Sequence, residues 1–347
     1  MIPAIVSWMM IALAVSFIAT RCLVSLVPKL KVVDTPDGER RTHARAVPLL
    51  GGIAIFVTVA ACLHVLLADT DSLTGGEVGT RQYAGFLLGG LILMVGGYLD
   101  DKHRLPPRFA VVAPVLAALV AIASGIQVEK LTNPFGGIIY LESWQSDVLV
   151  FIWLMGAMYT TKFLDGLDGL ATSVSSVGAF MVMCLALTAA YFQPDVALFA
   201  AIGVGALAGF LFWNLPPAAI FLGEGGSTFV GFLIGTLAVI SGGKIATAAL
   251  VLGVPIMDVA WVILRRWNAG GPRNVFRGDR KHLHHRLLAL GWSQRQVVAG
   301  YTLVAAAFGA AALFLQSREK LLAMLALMGL MLFLAAFLVA RERQSHA

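Results

Sequence analysis

Residues 196–213 read VALFAAIGVGALAGFLFW, eighteen positions without one charged side chain. A helix needs ~20 such residues to cross the hydrocarbon core of a bilayer. Comparable runs recur along the whole chain, at 4–27, 47–67, 83–99, 109–126, 148–164, 170–192, 228–241, 245–264, 297–315 and 321–340. Together they predict an all-α polytopic membrane protein of about eleven transmembrane helices, folded as a single domain over 1–347. The fifth run (148–164) and the eighth (228–241) are short, so tilt, a break or an end buried in protein is expected there. Composition leads the same way. Of 347 residues 59% are hydrophobic and 13% charged, against ~25% charged in soluble domains. A soluble enzyme, a disordered tail and a disulfide-stapled secreted fold are excluded. The runs also exceed the ~10-residue alternating strands of a membrane barrel.

Basic residues set the expected orientation, because Lys and Arg accumulate on the cytoplasmic side. Eighteen of the 25 fall in one set of loops, including Lys29, Arg104, Arg108, Lys162, Arg265, Arg266 and Arg286, and five in the other: Arg81, Lys130, Lys244, Arg318 and Lys320. This places the N-terminus outside and the C-terminus in the cytoplasm, with Arg21 and Arg295 snorkelling at inner helix ends. Residues 126–145 carry two β-rich pieces, Ile126–Leu131 and Ile138–Leu141, around Asn133-Pro134-Phe135-Gly136-Gly137, and predict a small external hairpin. Cys22, Cys62 and Cys184 lie in apolar runs and read as packing residues. The N-terminal run has no basic leader and exceeds 20 residues, so a cleaved signal peptide is not expected. The net charge of +6 is explained by the inner loops, which favour anionic headgroups and phosphate ligands; nothing suggests nucleic acid.

Acidic and histidine residues gather in the inner connections. Asp100-Asp101 closes the third run; neighbours on a helix point ~100° apart, so one can face a reacting atom while the other supports it. Taken alone, such a pair is more often a solvated helix end. Lys162-Phe163-Leu164-Asp165-Gly166-Leu167-Asp168-Gly169 sets two carboxylates at i and i+3, stacked if the segment is helical. A plain acidic turn is the bland reading, but two like charges so close favour a cation or acid/base site. The stretch from Asn214 to Ser227 contains Gly223-Glu224-Gly225-Gly226, whose backbone N–H groups could face phosphate ahead of the eighth helix, or simply turn the chain. Glu224 is its one charge. Residues 265–296 form a cytoplasmic His-rich loop with Arg277, Asp279, Arg280, Lys281, His282, His284, His285 and Arg286. The basic neighbours would repel a dication, so an anion site is the better reading; a basic stop-transfer loop would leave the His cluster unexplained. Asp258, inside a run, costs a few kcal/mol unless it faces protein or water and is read as a brace for the inner site.

These segments describe a membrane enzyme that handles a soluble phosphorylated substrate at its cytoplasmic face and draws a second from the bilayer. The ordered pieces are Asp34-x-Pro36 with His43, Pro48, Gly51 and Gly52; Asp100-Asp101; Asp165-Gly-x-Asp168-Gly; Asn214-x-x-Pro217-Ala218 with Phe221 and Gly226-Ser227; Pro255-x-x-Asp258; and Asp279-x-x-His282-x-His284-His285-Arg286. By them the chain resembles, over essentially its whole length, the polyprenyl-phosphate N-acetylhexosamine-1-phosphate transferases (glycosyltransferase family 4), relatives of the phospho-MurNAc-pentapeptide translocase.

The resemblance implies transfer of N-acetylhexosamine-1-phosphate from a UDP-sugar, foremost UDP-GlcNAc, to undecaprenyl phosphate with release of UMP. It further implies Mg²⁺, a bacterial inner membrane and a role in starting lipid-linked cell-envelope polysaccharide; a homodimer is compatible with it. The alternatives are a phospho-MurNAc-pentapeptide transferase or a catalytically degenerate scaffold. It assigns Asp100, Asp101, Asp165 and Asp168 to catalysis, with Asp100 as base or nucleophile positioner and Asp101 as its support. Glu224 and Asp168 are assigned to the metal, and Lys162, Asn214, Gly226, Ser227, His282, His284, His285 and Arg286 to substrate. Three departures stand out: the family's two Asn positions hold Tyr159 and Lys162, its Gly-Asp-x-Gly-Ser has Glu224, and its Lys and Gln after Asp-Asp are Ala110 and Pro114. Either Lys162 pairs with Glu224 and partly substitutes for a cation, or Glu224 reaches a metal with its longer arm. A retained Mg²⁺ is the expectation, because two phosphates among carboxylates need concentrated positive charge.

Overall fold

The computed structural model describes residues 1–30, 32–34, 46–69, 71–76, 78–189, 191–242, 245–270 and 282–345, and for 69, 264–270, 332 and 334–345 the backbone alone. The motif residues Pro36, His43 and Asp279 and the basic Arg277, Arg280 and Lys281 lie outside the described residues.

Fourteen helices carry the described chain: α1 (Ile2–Leu26), α2 (Gly51–Asp69), α3 (Thr80–His103), α4 (Pro107–Ala110), α5 (Val112–Ala123), α6 (Ser143–Leu164), α7 (Leu170–Ala186), α8 (Pro194–Asn214), α9 (Gly223–Ile240), α10 (Ile245–Val251), α11 (Gly253–Gly270), α12 (Leu283–Ala289), α13 (Gln294–Phe314) and α14 (Ser317–Ser345). A helix or broken pair underlies each apolar run. Among the described residues, α1, α2, α3, α6, α8, α9 and α13 are long and apolar enough to cross a bilayer, and the pair α10–α11 makes an eighth if it is one span. The stretch Pro107–Ala123 and helix α7 are shorter.

Of the two expected weak spots, the eighth run is buried in protein as anticipated and the fifth is not short. The fifth run is not short: α6 has 22 residues, because Gln145 Oε1 accepts the Glu142 N–H at 2.9 Å and starts the helix in polar sequence. The eighth begins at Gly223 within the glycine-rich stretch, and 89% of its apolar window is buried in protein. The break lies in the ninth, where α10 and α11 are bent by 77°. Gly253 and Pro255 sit at this bend, and proline has no N–H to carry the helical ladder across it.

Helix α9 is the centre of the bundle, with α2, α3 and α6 packed on it, while α8 lies between α1 and α7. Small residues permit these approaches. Gly225 meets Gly97 of α3, Gly226 meets Gly52 of α2, and Gly231 meets Ala157 and Thr161 of α6. On the flank, Gly205 and Gly209 of α8 face the α1 backbone, and Ser16 Oγ donates to Ala206 O at 2.6 Å. The outward side of α1, with Ile2, Val6, Met10 and Phe17 exposed, is apolar as a lipid-facing surface requires.

Two antiparallel ribbons complete the fold. The expected hairpin forms from β3 (Lys130–Thr132) and β4 (Ile138–Tyr140), its turn held by Phe135 N–H on Asn133 Oδ1 at 2.9 Å. A second, unanticipated ribbon pairs β1 (Val33–Asp34) with β2 (Val47–Pro48). Helix α6 leads from the β3–β4 hairpin to Lys162, so hairpin and acidic segments stand at opposite ends of a helix about 33 Å long.

Candidate active site

Helix α3 ends in its two aspartates. Asp100 Oδ1 accepts the Leu105 N–H at 2.9 Å, and the chain turns at Arg104 with φ 52°. Both oxygens of Asp101 lie 3.2 Å from the Glu224 N–H in the first turn of α9. A helix start carries unpaired N–H groups and the positive end of the dipole, so it takes an anion. Here that anion is Asp101. The expectation that the glycine-rich segment offers its N–H groups to phosphate thus does not extend to the Glu224 N–H, which the protein's own carboxylate takes. Gly226 is packed on Gly52, and Ser227 is buried, its Oγ donating to Glu224 O at 3.2 Å and its carbonyl accepting from Thr161 Oγ1 at 2.7 Å. Both set the position of α9 against its neighbours. Gly223 needs to be glycine, with φ 75° and a missing Cβ that would press on the Asp101 carboxylate.

Lys162, in the last turn of α6, places Nζ 2.5 Å from Glu224 Oε2 and 5.9 Å from the centre of the Tyr159 ring. The two departures from the family pattern are therefore partners in space. Residues 165–169 are a turn between α6 and α7, not a helix, so Asp165 and Asp168 are not stacked on one face as a helical segment would make them. Gly169, with φ 73°, starts α7. Asp168 Oδ2 accepts the Ala218 N–H at 3.0 Å. Asp165 pairs with no described residue. Packing by protein, together with the charges of Glu224, Asp101 and Asp168, pushes its carboxyl well above the usual carboxylate range.

The 215–222 connection is latched from several sides. Asn214 is buried and both ends of its amide are bonded, Oδ1 accepting from Thr172 Oγ1 at 2.8 Å and Nδ2 donating to Ile220 O at 3.0 Å. This geometry makes it a brace between α7, α8 and the connection that follows. Phe221 N–H donates to Pro48 O at 2.9 Å, and the Gly51 and Gly52 N–H groups return to Phe221 O and Leu222 O, each at 2.9 Å. Arg295, expected to snorkel, donates from Nε and Nη2 to Pro216 O at 3.2 and 3.0 Å.

The histidines join this assembly through Asp258, a buried residue that acts as the expected brace. Its carboxylate takes His282 Nδ1 at 2.8 Å and the Leu283 N–H at 2.8 Å. His282 stacks between Phe163 (6.0 Å) and His284 (5.6 Å), and His285 lies 4.3 Å from His284. His284 Nε2 sits over Gly166, where a Cβ would come within 2.6 Å of it. At 1% exposure, with neither ring nitrogen bonded to a described residue, His284 is kept neutral: burial and the two neighbouring histidines hold its pKa well below the usual value. Arg286 is buried on the same short helix. The described part of 265–296 is the end of α11, helix α12, a turn over 290–293 and the start of α13, and Asp258 takes the first N–H of α12.

The structure gathers Asp100, Asp101, Lys162, Asp165, Asp168, Glu224 and the three histidines at one end of the bundle. It adds Tyr159, Phe163, Thr161, Thr172 and Arg295, whose parts depend on contacts across the fold that no spacing announces. The donor chemistry fits Mg²⁺: hard carboxylate oxygens, one of them, on Asp165, without a partner among the described residues. Mg²⁺ is typically bound by one or two carboxylates plus substrate phosphates. Among the described residues no three such side chains converge as a ready-made cage.

A helical integral membrane protein with an acidic, histidine-bordered cluster at one end of its helices is the class these features define. Comparison with known proteins makes it specific. The chain belongs to glycosyl transferase family 4, which residues 83–242 match, and it is an enzyme of that family. It is 29% identical over 339 residues to a probable undecaprenyl-phosphate N-acetylglucosaminyl 1-phosphate transferase of Bacillus subtilis (strain 168), covering 94% of this chain and 91% of that one. It is 30% identical over 314 residues to a decaprenyl-phosphate N-acetylglucosaminephosphotransferase of Mycobacterium leprae (83% and 77% covered). It is also 28% identical over 338 residues to a phospho-N-acetylmuramoyl-pentapeptide-transferase of Geobacillus kaustophilus (88% and 97%).

Proposed function

We propose that the protein transfers N-acetylglucosamine-1-phosphate from UDP-N-acetylglucosamine to undecaprenyl phosphate and releases UMP, the first step of a lipid-linked cell-envelope polysaccharide. The observation that carries this reading is the cluster itself: carboxylates, one lysine and a histidine stack from four distant segments, at one end of a bundle whose flanks are apolar. The relatives' names support a polyprenyl phosphate as acceptor and N-acetylglucosamine-1-phosphate as the transferred group, and the polar cluster at the end of an apolar bundle suits a soluble donor meeting a lipid acceptor.

An oxygen of the lipid phosphate attacks the β-phosphorus of the donor, the bond from that phosphorus to the bridging oxygen breaks, and UMP leaves with the bridging oxygen and its electron pair. A phosphate monoester has a second pKa near 6, so the nucleophile is largely ionised at neutral pH and alignment outweighs deprotonation. Asp100, at the end of α3, positions the attacking phosphate and takes its residual proton; Asp101 ties that helix end to α9. Lys162 faces the diphosphate, and His282, His284, His285 and Arg286 border the nucleotide. Asp165 and Asp168, with Glu224 beside them, would hold Mg²⁺. Bound there, Mg²⁺ supplies charge neutralisation to the phosphates.

In this reading the eleven apolar runs are eleven crossings, the N-terminus and the β3–β4 hairpin are external, and the pocket opens to the cytoplasm at the bacterial inner membrane. A second reading, transfer of phospho-MurNAc-pentapeptide to the lipid phosphate, is supported by one observation, the 97% coverage of the Geobacillus relative. Incubating purified protein with undecaprenyl phosphate and a panel of UDP-sugars decides the matter: UMP release with UDP-N-acetylglucosamine is expected. Release with UDP-MurNAc-pentapeptide alone would move the assignment, and release with none would leave a scaffold.

A further inference from the structure

The pocket carries its own cation. Asp100, Asp101, Asp165, Asp168 and Glu224 bring five carboxylates together, and Lys162 is the described cation whose charge bears on Glu224, Asp100 and Asp101. Its ammonium is set by two contacts, Glu224 Oε2 at 2.5 Å and the Tyr159 ring at 5.9 Å. A lysine ammonium has three N–H donors, and among the described residues Glu224 is the acceptor it uses. The Glu224 oxygen in this pair is buried, while the Lys162 side chain keeps 23% exposure and is the partner open to a ligand. Glu224 is itself fixed, because its backbone N–H is bound to Asp101 and its Cα lies in the first turn of the buried helix α9. A cation at a set position, with unspent donors, among carboxylates that would otherwise repel an anion, is what a diphosphate ligand needs.

We propose that Lys162, held by Glu224 and Tyr159, is a resident counter-ion for the donor's diphosphate, so that the nucleotide sugar is captured without a divalent cation and the metal is needed for transfer alone. This rests on the donor assignment proposed above, and deepens it by separating binding from turnover. The bound phosphate takes N–H donors of Lys162 that Glu224 leaves free, so capture requires no break of the ion pair.

The test is equilibrium binding of UDP-N-acetylglucosamine to the full-length protein in detergent, by calorimetry, in Mg²⁺ and in excess EDTA. For the unaltered protein, EDTA is expected to weaken binding less than about tenfold. Lys162→Met is expected to weaken binding in EDTA about 10- to 100-fold, the size of one charge-assisted hydrogen bond. Because that variant leaves Glu224 uncompensated, the double variant Lys162→Met/Glu224→Gln, which removes both charges, provides a well-folded comparison and shows the same loss. The proposal is overturned if the unaltered protein binds the nucleotide sugar in Mg²⁺ and not in EDTA, or if the double variant, eluting as a monodisperse species, binds as tightly as the unaltered protein in EDTA. Absence of binding in both conditions overturns the donor assignment and this proposal together, an outcome distinct from binding that depends on metal.

Discussion

Replacing Asp258 by alanine tests how the histidines are held. Its carboxylate takes two bonds of 2.8 Å, from His282 Nδ1 and from the Leu283 N–H, in a buried setting. Asp258→Ala leaves both groups unpaired, at about 1–3 kcal/mol each, so roughly 2–6 kcal/mol in all. Helix α12 has seven residues, too few to persist without tertiary support. The cost therefore appears as local release of residues 282–289 from Phe163 and Gly166 before the bundle itself unfolds. Hydrogen exchange of the intact protein in detergent reads this directly, with faster exchange over 282–289 and unchanged protection in α9. UMP release should fall about a hundredfold, as expected when positioning groups lose their place. Asp258→Asn keeps an acceptor for the Leu283 N–H and should lose about half the free energy. If Asp258→Ala leaves both the exchange of 282–289 and UMP release unchanged, the histidines are not held as described and have no part in the reaction.

Other consequences are equally open to measurement. Gly226→Ala puts a methyl against the Gly52 backbone and should cost about 1–3 kcal/mol of stability, while Gly156→Ala in α6, with open space around it, should be neutral or stabilise by up to about 1 kcal/mol; thermal unfolding in detergent compares them. Asp165→Asn should raise the unfolding temperature at neutral pH, since the native carboxylate is disfavoured by burial and three like charges, and abolish UMP release. His284 is neutral in the fold and gains a proton on unfolding below its ordinary value of 6.5, so its contribution to stability is present above that pH and is lost as pH falls below it. Stability profiles of the unaltered protein and of His284→Gln should diverge in that acid window and run parallel above it; parallel profiles throughout would contradict a neutral buried imidazole.

Much of the architecture could be read from hydropathy, since each apolar run is helical and the Asn133–Gly137 turn joins two strands. Periodicity fails where glycine has two uses. The stretch Gly223–Gly226 reads as a phosphate loop, yet its glycines let α9 touch α2 and α3, and only the position of Gly52 and Gly97 in space reveals that. Likewise the spacing of Asp165 and Asp168 suggests a helical face, whereas Gly166 and Gly169 open a turn that sends one carboxylate to Ala218 and leaves the other among like charges. The convergence of Asp100, Asp101, Lys162, Glu224 and the histidines was legible because charged groups in an apolar chain have few places to go. Their individual partners were not, since Asp101 on the α9 terminus and Asp258 on α12 are contacts between residues 123 and 24 positions apart.

The most direct measurement follows a label. Purified protein is given undecaprenyl phosphate and UDP-N-acetylglucosamine carrying isotope in its β-phosphate. Attack at that phosphorus, with the pocket holding the diphosphate, places the label in the lipid and leaves UMP unlabelled. Label remaining with the nucleotide as UDP, while sugar alone reaches the lipid, would contradict the account.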